Sequence, residues 1–78
     1  MDNEQLQQLL QQNFSECEVK VSGDGHHFTA TLLGEVFANK FKLQRQQQVY
    51  AVVGDLIRNG KLHALEIRAD TQAEWSKL

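Results

Sequence analysis

The sequence predicts an α+β fold, a three-stranded mixed sheet with helices packed on one face and a short helix at the C-terminal end. Two observations carry this expectation. The spacing of apolar residues switches between the helical period and strict alternation, giving the order α-β-β-α-β-α. The first two alternating runs are joined by a turn short enough for an antiparallel hairpin, whereas the third follows a crossover of about 30 residues containing a helix, as a parallel connection requires.

Each element has its own signature. Asp2 or Asn3 can cap a first helix whose Leu6, Leu9, Leu10 and Phe14 fall on one face. In "CEVKVS", Cys17, Val19 and Val21 alternate with Glu18, Lys20 and Ser22, the pattern of a half-buried strand. Ser22-Gly23-Asp24-Gly25 supplies positive-φ residues for a reversal, and "HHFTATLL" alternates again, with Phe28, Ala30 and Leu32 on one side. "GEVFANKFK" (34–42) reads as a helical turn or irregular connector whose three large hydrophobic side chains lid the core. From Lys42 to Asn59 a longer helix places Val49, Val53, Leu56 and Ile57 on its buried stripe, flanked by Leu43 and Tyr50, and Asn59-Gly60 ends it in a left-handed cap. "LHALEIRA" is a third strand with Leu65 and Ile67 inward, and Asp70 or Thr71 can cap a short helix carrying Trp75.

The chain has 78 residues, which suits a single small domain over 1–78 rather than a two-lobed enzyme. Its net charge of −2 argues against a dominant nucleic-acid role, because phosphate binding rests on Lys and Arg. No apolar run reaches signal-peptide or membrane-spanning length, so a cytoplasmic protein that does not engage the membrane is expected. Cys17 is the only cysteine, which excludes an internal disulfide and any metal site built from this chain's thiols alone; in phase with Val19 and Val21, it reads as core.

Topology gives the histidines their interest. If the second and third strands are parallel neighbours about 4.8 Å apart, their first residues share one rim of the sheet. His26 and His27 begin the second strand and His63 the third. His26 is in phase with Phe28 and Ala30, and His63 with Leu65 and Ile67, so both point toward the helix-covered face at its solvent-accessible rim. His27 is in phase with Thr29 and Thr31 and faces outward. Asp24 stands close enough to orient the His26 imidazole through a hydrogen bond.

Together, "VSGDGHHF", "QRQQQVYAVVGDLI", "HALEI" and the tail "TQAEW" resemble the BolA family, in particular its short bacterial branch known as IbaG or YrbA. The resemblance covers nearly the whole chain and implies a fold similar to the class II KH domain, α-β-β-α-α-β with a helical tail. It further implies an adaptor role in iron-sulfur assembly, trafficking or iron homeostasis, in which a [2Fe-2S] cluster is shared with a monothiol glutaredoxin and glutathione. The family's histidine in the "HA" that opens the last strand is His63 here. The second ligand comes from the loop between the first two strands, here "SGDGHH", where phase favours His26 and the family pattern before the phenylalanine favours His27. This loop is shorter than in many relatives, and Arg45-Gln46-Gln47 stands where most read Arg-His-Arg. The isolated chain is expected to be a monomer without a cluster of its own.

Other function classes are less well served. Lys40, Lys42 and Arg45 cluster at the start of the long helix and could touch phosphates, as in a KH-like regulator of transcription. The Gly-x-x-Gly loop with which KH domains clamp a nucleic-acid backbone is missing, since the third residue after Gly34 is Phe37, so any such binding should be weak. No nucleophile beside a base, phosphate-binding glycine loop or paired carboxylates in a pocket suggest an enzyme.

Overall fold

A computed structural model describes residues 1–77. Helix α1 (Asn3–Asn13) starts at Asp2, whose carboxylate accepts the Gln5 N–H at 2.8 Å while the Gln5 side chain accepts the Asp2 N–H at 3.0 Å. This reciprocal capping satisfies two amides that the first turn would otherwise leave unpaired. Strands β1 (Glu18–Gly23) and β2 (His27–Leu33) form the hairpin, a single 3-10 turn occupies Glu35–Phe37, and α2 (Lys42–Arg58) crosses over to β3 (Ala64–Asp70). The tail forms α3 (Gln72–Trp75), capped by Thr71. In the sheet, ordered β1-β2-β3, β2 is antiparallel to β1 and parallel to β3.

Alternation along the strands sends Val19, Phe28, Ala30, Leu32 and Ile67 to one face, where they join Leu6 and Leu10 of α1 and Val49 and Val53 of α2 in a continuous buried core. Each such side chain contributes roughly 1.5–3 kcal/mol of hydrophobic stabilisation. The other face is polar, carrying Lys20, Thr29, Glu66 and Arg68. Leu33 is buried despite belonging to this outer phase; it shares a hollow at the end of the face with Gln72 and Trp75 of the tail.

Several expectations are corrected. Ile57 stays 36% exposed because it lies on the flank of α2 rather than on the stripe centred on Val49 and Val53. Of the three connector hydrophobics only Phe37 enters the core, while Val36 and Phe41 remain exposed, Phe41 at 82%. Leu62, expected to open β3, precedes it and is fully buried, its N–H donating to the Leu56 carbonyl at 3.0 Å as the chain leaves α2. Gly60 adopts φ +80°, so the left-handed helix end forms as expected.

Arg45 is the least expected core residue. Only 9% exposed, it donates from Nε to the Lys40 carbonyl at 2.9 Å, from Nη1 to the Ala69 carbonyl at 3.0 Å, and from Nη1 and Nη2 to both Glu74 oxygens at 2.7 and 3.1 Å. One guanidinium thus ties the start of α2 to the end of β3 and to α3, with the fork geometry that makes arginine strong in such sites. The Arg45 bond, aided by the Thr71 N–H, pulls the Glu74 carboxyl from 4.5 down to about 2.

Two outcomes follow from these contacts. A methyl group on Gly23 would overlap the His27 carbonyl oxygen and lie 3.0 Å from the Phe28 Cα. Because backbone must move to admit it, Gly23→Ala is expected to cost about 2 kcal/mol in a urea titration; an unchanged midpoint would show that the turn absorbs the methyl. Arg45→Met should cost about 2 kcal/mol at neutral pH, as lost charge-assisted hydrogen bonds do. The Lys40 and Ala69 carbonyl bonds of Arg45 do not titrate, but the folded state favours ionised Glu74, so the Glu74 share of the clamp is complete above pH 4.5 and is lost as the pH falls toward about 2. Wild type and Glu74→Gln should therefore converge in stability across that window, and a constant difference would contradict the clamp.

Candidate functional site

The two histidines that approach each other do so because of the turn before β2. Gly25 takes φ +97°, which a side chain would disfavour, and the Asp24 carboxylate accepts the N–H groups of His26 and His27, each at 2.9 Å. Asp24 in turn donates its N–H to the His27 carbonyl at 3.2 Å. The amide bonds from His27 and His26 hold the Asp24 carboxyl below its ordinary range. Asp24 therefore fixes the backbone that carries the histidines, and the expected Asp24–imidazole bond is replaced by bonds to backbone amides.

Across the sheet, His27 pairs with Ala64, and the Ala64 N–H donates to the His26 carbonyl at 3.3 Å. His26 and His63 consequently stand side by side, each one residue before its strand rather than within it. Their rings lie with centroids 5.6 Å apart and planes inclined by 37°. Both residues are exposed. His27, the first residue of β2, belongs to the opposite phase, with Thr29 and Thr31, and does not join the ring pair.

Chemically, the rim offers two imidazole nitrogens from one side and leaves the other positions of any coordination sphere open. Two nitrogens bound to one metal at about 2.0–2.1 Å are roughly 3.4 Å apart in a tetrahedral arrangement. Rings spaced as these are can reach that separation by side-chain rotation. Among the described residues, no group of three or more His, Cys, Asp or Glu is placed to hold a metal ion. Cys17 is buried, and burial together with neighbouring Glu16 pushes its thiol pKa up, so it is a poor source of thiolate.

The basic residues at the start of α2 lie elsewhere, along a groove between that helix and β3. Lys42 is exposed, and the Lys40 ammonium donates to the Val36 carbonyl at 2.8 Å. Arg45, expected at a phosphate-binding surface, is buried with its donors engaged inside the protein. Alternation and helical period, which treat arginine as a surface residue, carry no signal for that role. The Asp24 cap was more accessible to sequence reasoning: Gly-Asp-Gly before a strand is a pattern in which the carboxylate accepts amides two and three residues on.

Comparison with known proteins gives a consistent result. A family model described as BolA-like protein matches residues 6–74. The acid stress protein IbaG of Escherichia coli K12 is 39% identical over 77 residues, covering 99% of this chain and 92% of its own. A solved bolA homologue from Coxiella burnetii superimposes with a TM-score of 0.83 at 30% identity, covering 97% of each chain. The BolA domain of SufE1 from Arabidopsis thaliana does so with a TM-score of 0.79 at 25% identity, over 92% of this chain and 93% of the other. Likeness in sequence along nearly the whole length and in fold across both structures leads to one assignment: the chain belongs to the BolA family.

Proposed function

We propose that this protein is an adaptor that partners a monothiol glutaredoxin and binds a shared [2Fe-2S] cluster in iron-sulfur assembly, trafficking or iron homeostasis. The observation that carries the reading is the juxtaposition of the exposed His26 and His63 rings, 5.6 Å apart by centroid, on a rim fixed by strand pairing. Neutral imidazole is a suitable ligand for iron. The pair suits half of the ligand set of a two-iron cluster, and thiolates from the glutaredoxin and glutathione would complete it. Bound in this way, histidine in place of cysteine raises the potential of the cluster.

The chain's own contribution is placement. Asp24 secures the loop backbone, the β2–β3 register brings the two residues together, and their exposure lets a second protein approach both rings at once. His63 is the chief ligand in this reading, His26 the second and His27 the alternative. A KH-like nucleic-acid role is weaker, since Arg45 is occupied inside the protein, the Lys40 ammonium is bonded to the Val36 carbonyl, and Lys42 alone of the three candidate cations is exposed.

The test mixes the purified chain with a monothiol glutaredoxin, glutathione, iron and sulfide, then follows the visible absorption and lifetime of the coloured heterodimer. His63→Ala should cost the fold about 1 kcal/mol or less, as exposed substitutions usually do, while removing most of the heterodimeric cluster signal. His26→Ala should weaken it less, and His27→Ala least. An unchanged spectrum and lifetime with folded His63→Ala would overturn the assignment, whereas greater damage from His27→Ala than from His26→Ala would move the second ligand to His27.

A further inference from the structure

β3 is an edge strand, paired with β2 on one side only. The groove beside it, about 720 Å³ in volume, is lined by every residue from Leu65 to Asp70. A hollow that touches consecutive strand residues of both phases follows the backbone edge itself. The Ala64 N–H and the Asp70 carbonyl point inward, to His26 and to the Gly34 N–H. By alternation, Leu65, Ile67 and Ala69 turn their backbone groups to the free edge, and the Arg45 bond to the Ala69 carbonyl agrees with this direction. No proline or bulge interrupts the strand, and the Arg45–Glu74 pair covers its edge only at Ala69, so the stretch around Leu65 and Ile67 stays open to another strand.

We infer that this edge, with the adjoining flank of α2, is a docking surface for a second copy of the chain, joined β3 to β3 in antiparallel fashion about a two-fold axis at Ile67. The sequence of β3 is self-complementary about that residue. Ile67 meets Ile67 of the other copy, Leu65 meets Ala69, and Glu66 meets Arg68 twice over. Shifting the register by two residues either way sets Glu66 against Glu66 or Arg68 against Arg68, so charge selects this alignment. The Ile67 groups bond reciprocally; at Ala69 the carbonyl is already held by Arg45, so the hydrogen-bonded seam is confined to Ile67 and the side chains carry the rest of the contact.

Helix α2 carries the second half of the surface. Leu43, Tyr50 and Ile57, 64%, 41% and 36% exposed, recur every seventh residue on one flank, and Tyr50 lines the groove. The same two-fold axis runs the two α2 helices antiparallel, so this stripe also meets itself, with Tyr50 near the axis and Leu43 toward Ile57. The joined sheet sets the two histidine rims at opposite ends of the dimer. This departs from the monomer expected from sequence.

Sedimentation equilibrium from micromolar to millimolar concentration tests the inference, with circular dichroism to show that each variant is folded. The wild type should show a monomer–dimer equilibrium. Glu66→Arg and Arg68→Glu should each weaken it by about tenfold, because symmetry repeats the like-charge contact. The double exchange Glu66→Arg with Arg68→Glu should restore the dimer, and Tyr50→Glu should weaken it by a similar factor. A wild type monomeric throughout, a dimer indifferent to the single changes, or one not restored by the double exchange would overturn the inference.

Discussion

The parallel pairing of β2 with β3 is the constraint on which the rest of the molecule depends. It joins segments separated by the whole of α2 and closes the core over Val49 and Val53. With His27 set against Ala64, the two preceding residues are placed at one rim, and their rings need only ordinary side-chain geometry to meet. A slip of one residue would turn Leu65 and Ile67 out of the core, so the burial that selects the register also selects the histidine pair. The site is thus a by-product of packing, stabilised by residues that never touch it.

Much of this was legible from the sequence. Alternation marked the strands, helical spacing marked α1 and α2, and the lengths of the two connections separated the antiparallel pair from the parallel one. Those facts, with phase, sufficed to bring His26 toward His63 and to send His27 to the other phase. What escaped depends on side chains meeting across elements. Arg45 occupies a buried position of α2 that a hydrophobic-stripe rule assigns to an apolar residue, and its burial is made favourable by Glu74, Asp70 and the Lys40 and Ala69 carbonyls, none of them local in the helix pattern. Ile57 failed in the opposite sense: it is apolar and near the stripe, but its azimuth faces the open flank. Leu62 was misassigned because a buried residue in an extended connector looks, in sequence, like the start of a strand.

Electrostatics divides the molecule into two regimes. At the tail, Arg45 and Glu74 form a partly buried bidentate pair whose value is positional, since α3 is too short to persist without it. At the rim the charge lies on Asp24, whose carboxylate hydrogen-bonds backbone amides rather than a ring nitrogen.

Two imidazoles meet on an exposed rim while the one thiol is sealed in the core. Both groups face solvent, and the rigid element behind them is the sheet. Such a rim needs only a short loop. A longer loop could carry a side chain across to β3, but here the register of two neighbouring strands does the same with no extra residues, provided that the turn holds His26 in phase with Phe28. The Gly25 conformation and the Asp24 cap together meet that condition, so the shortest hairpin in reach of β3 is sufficient to pair the rings.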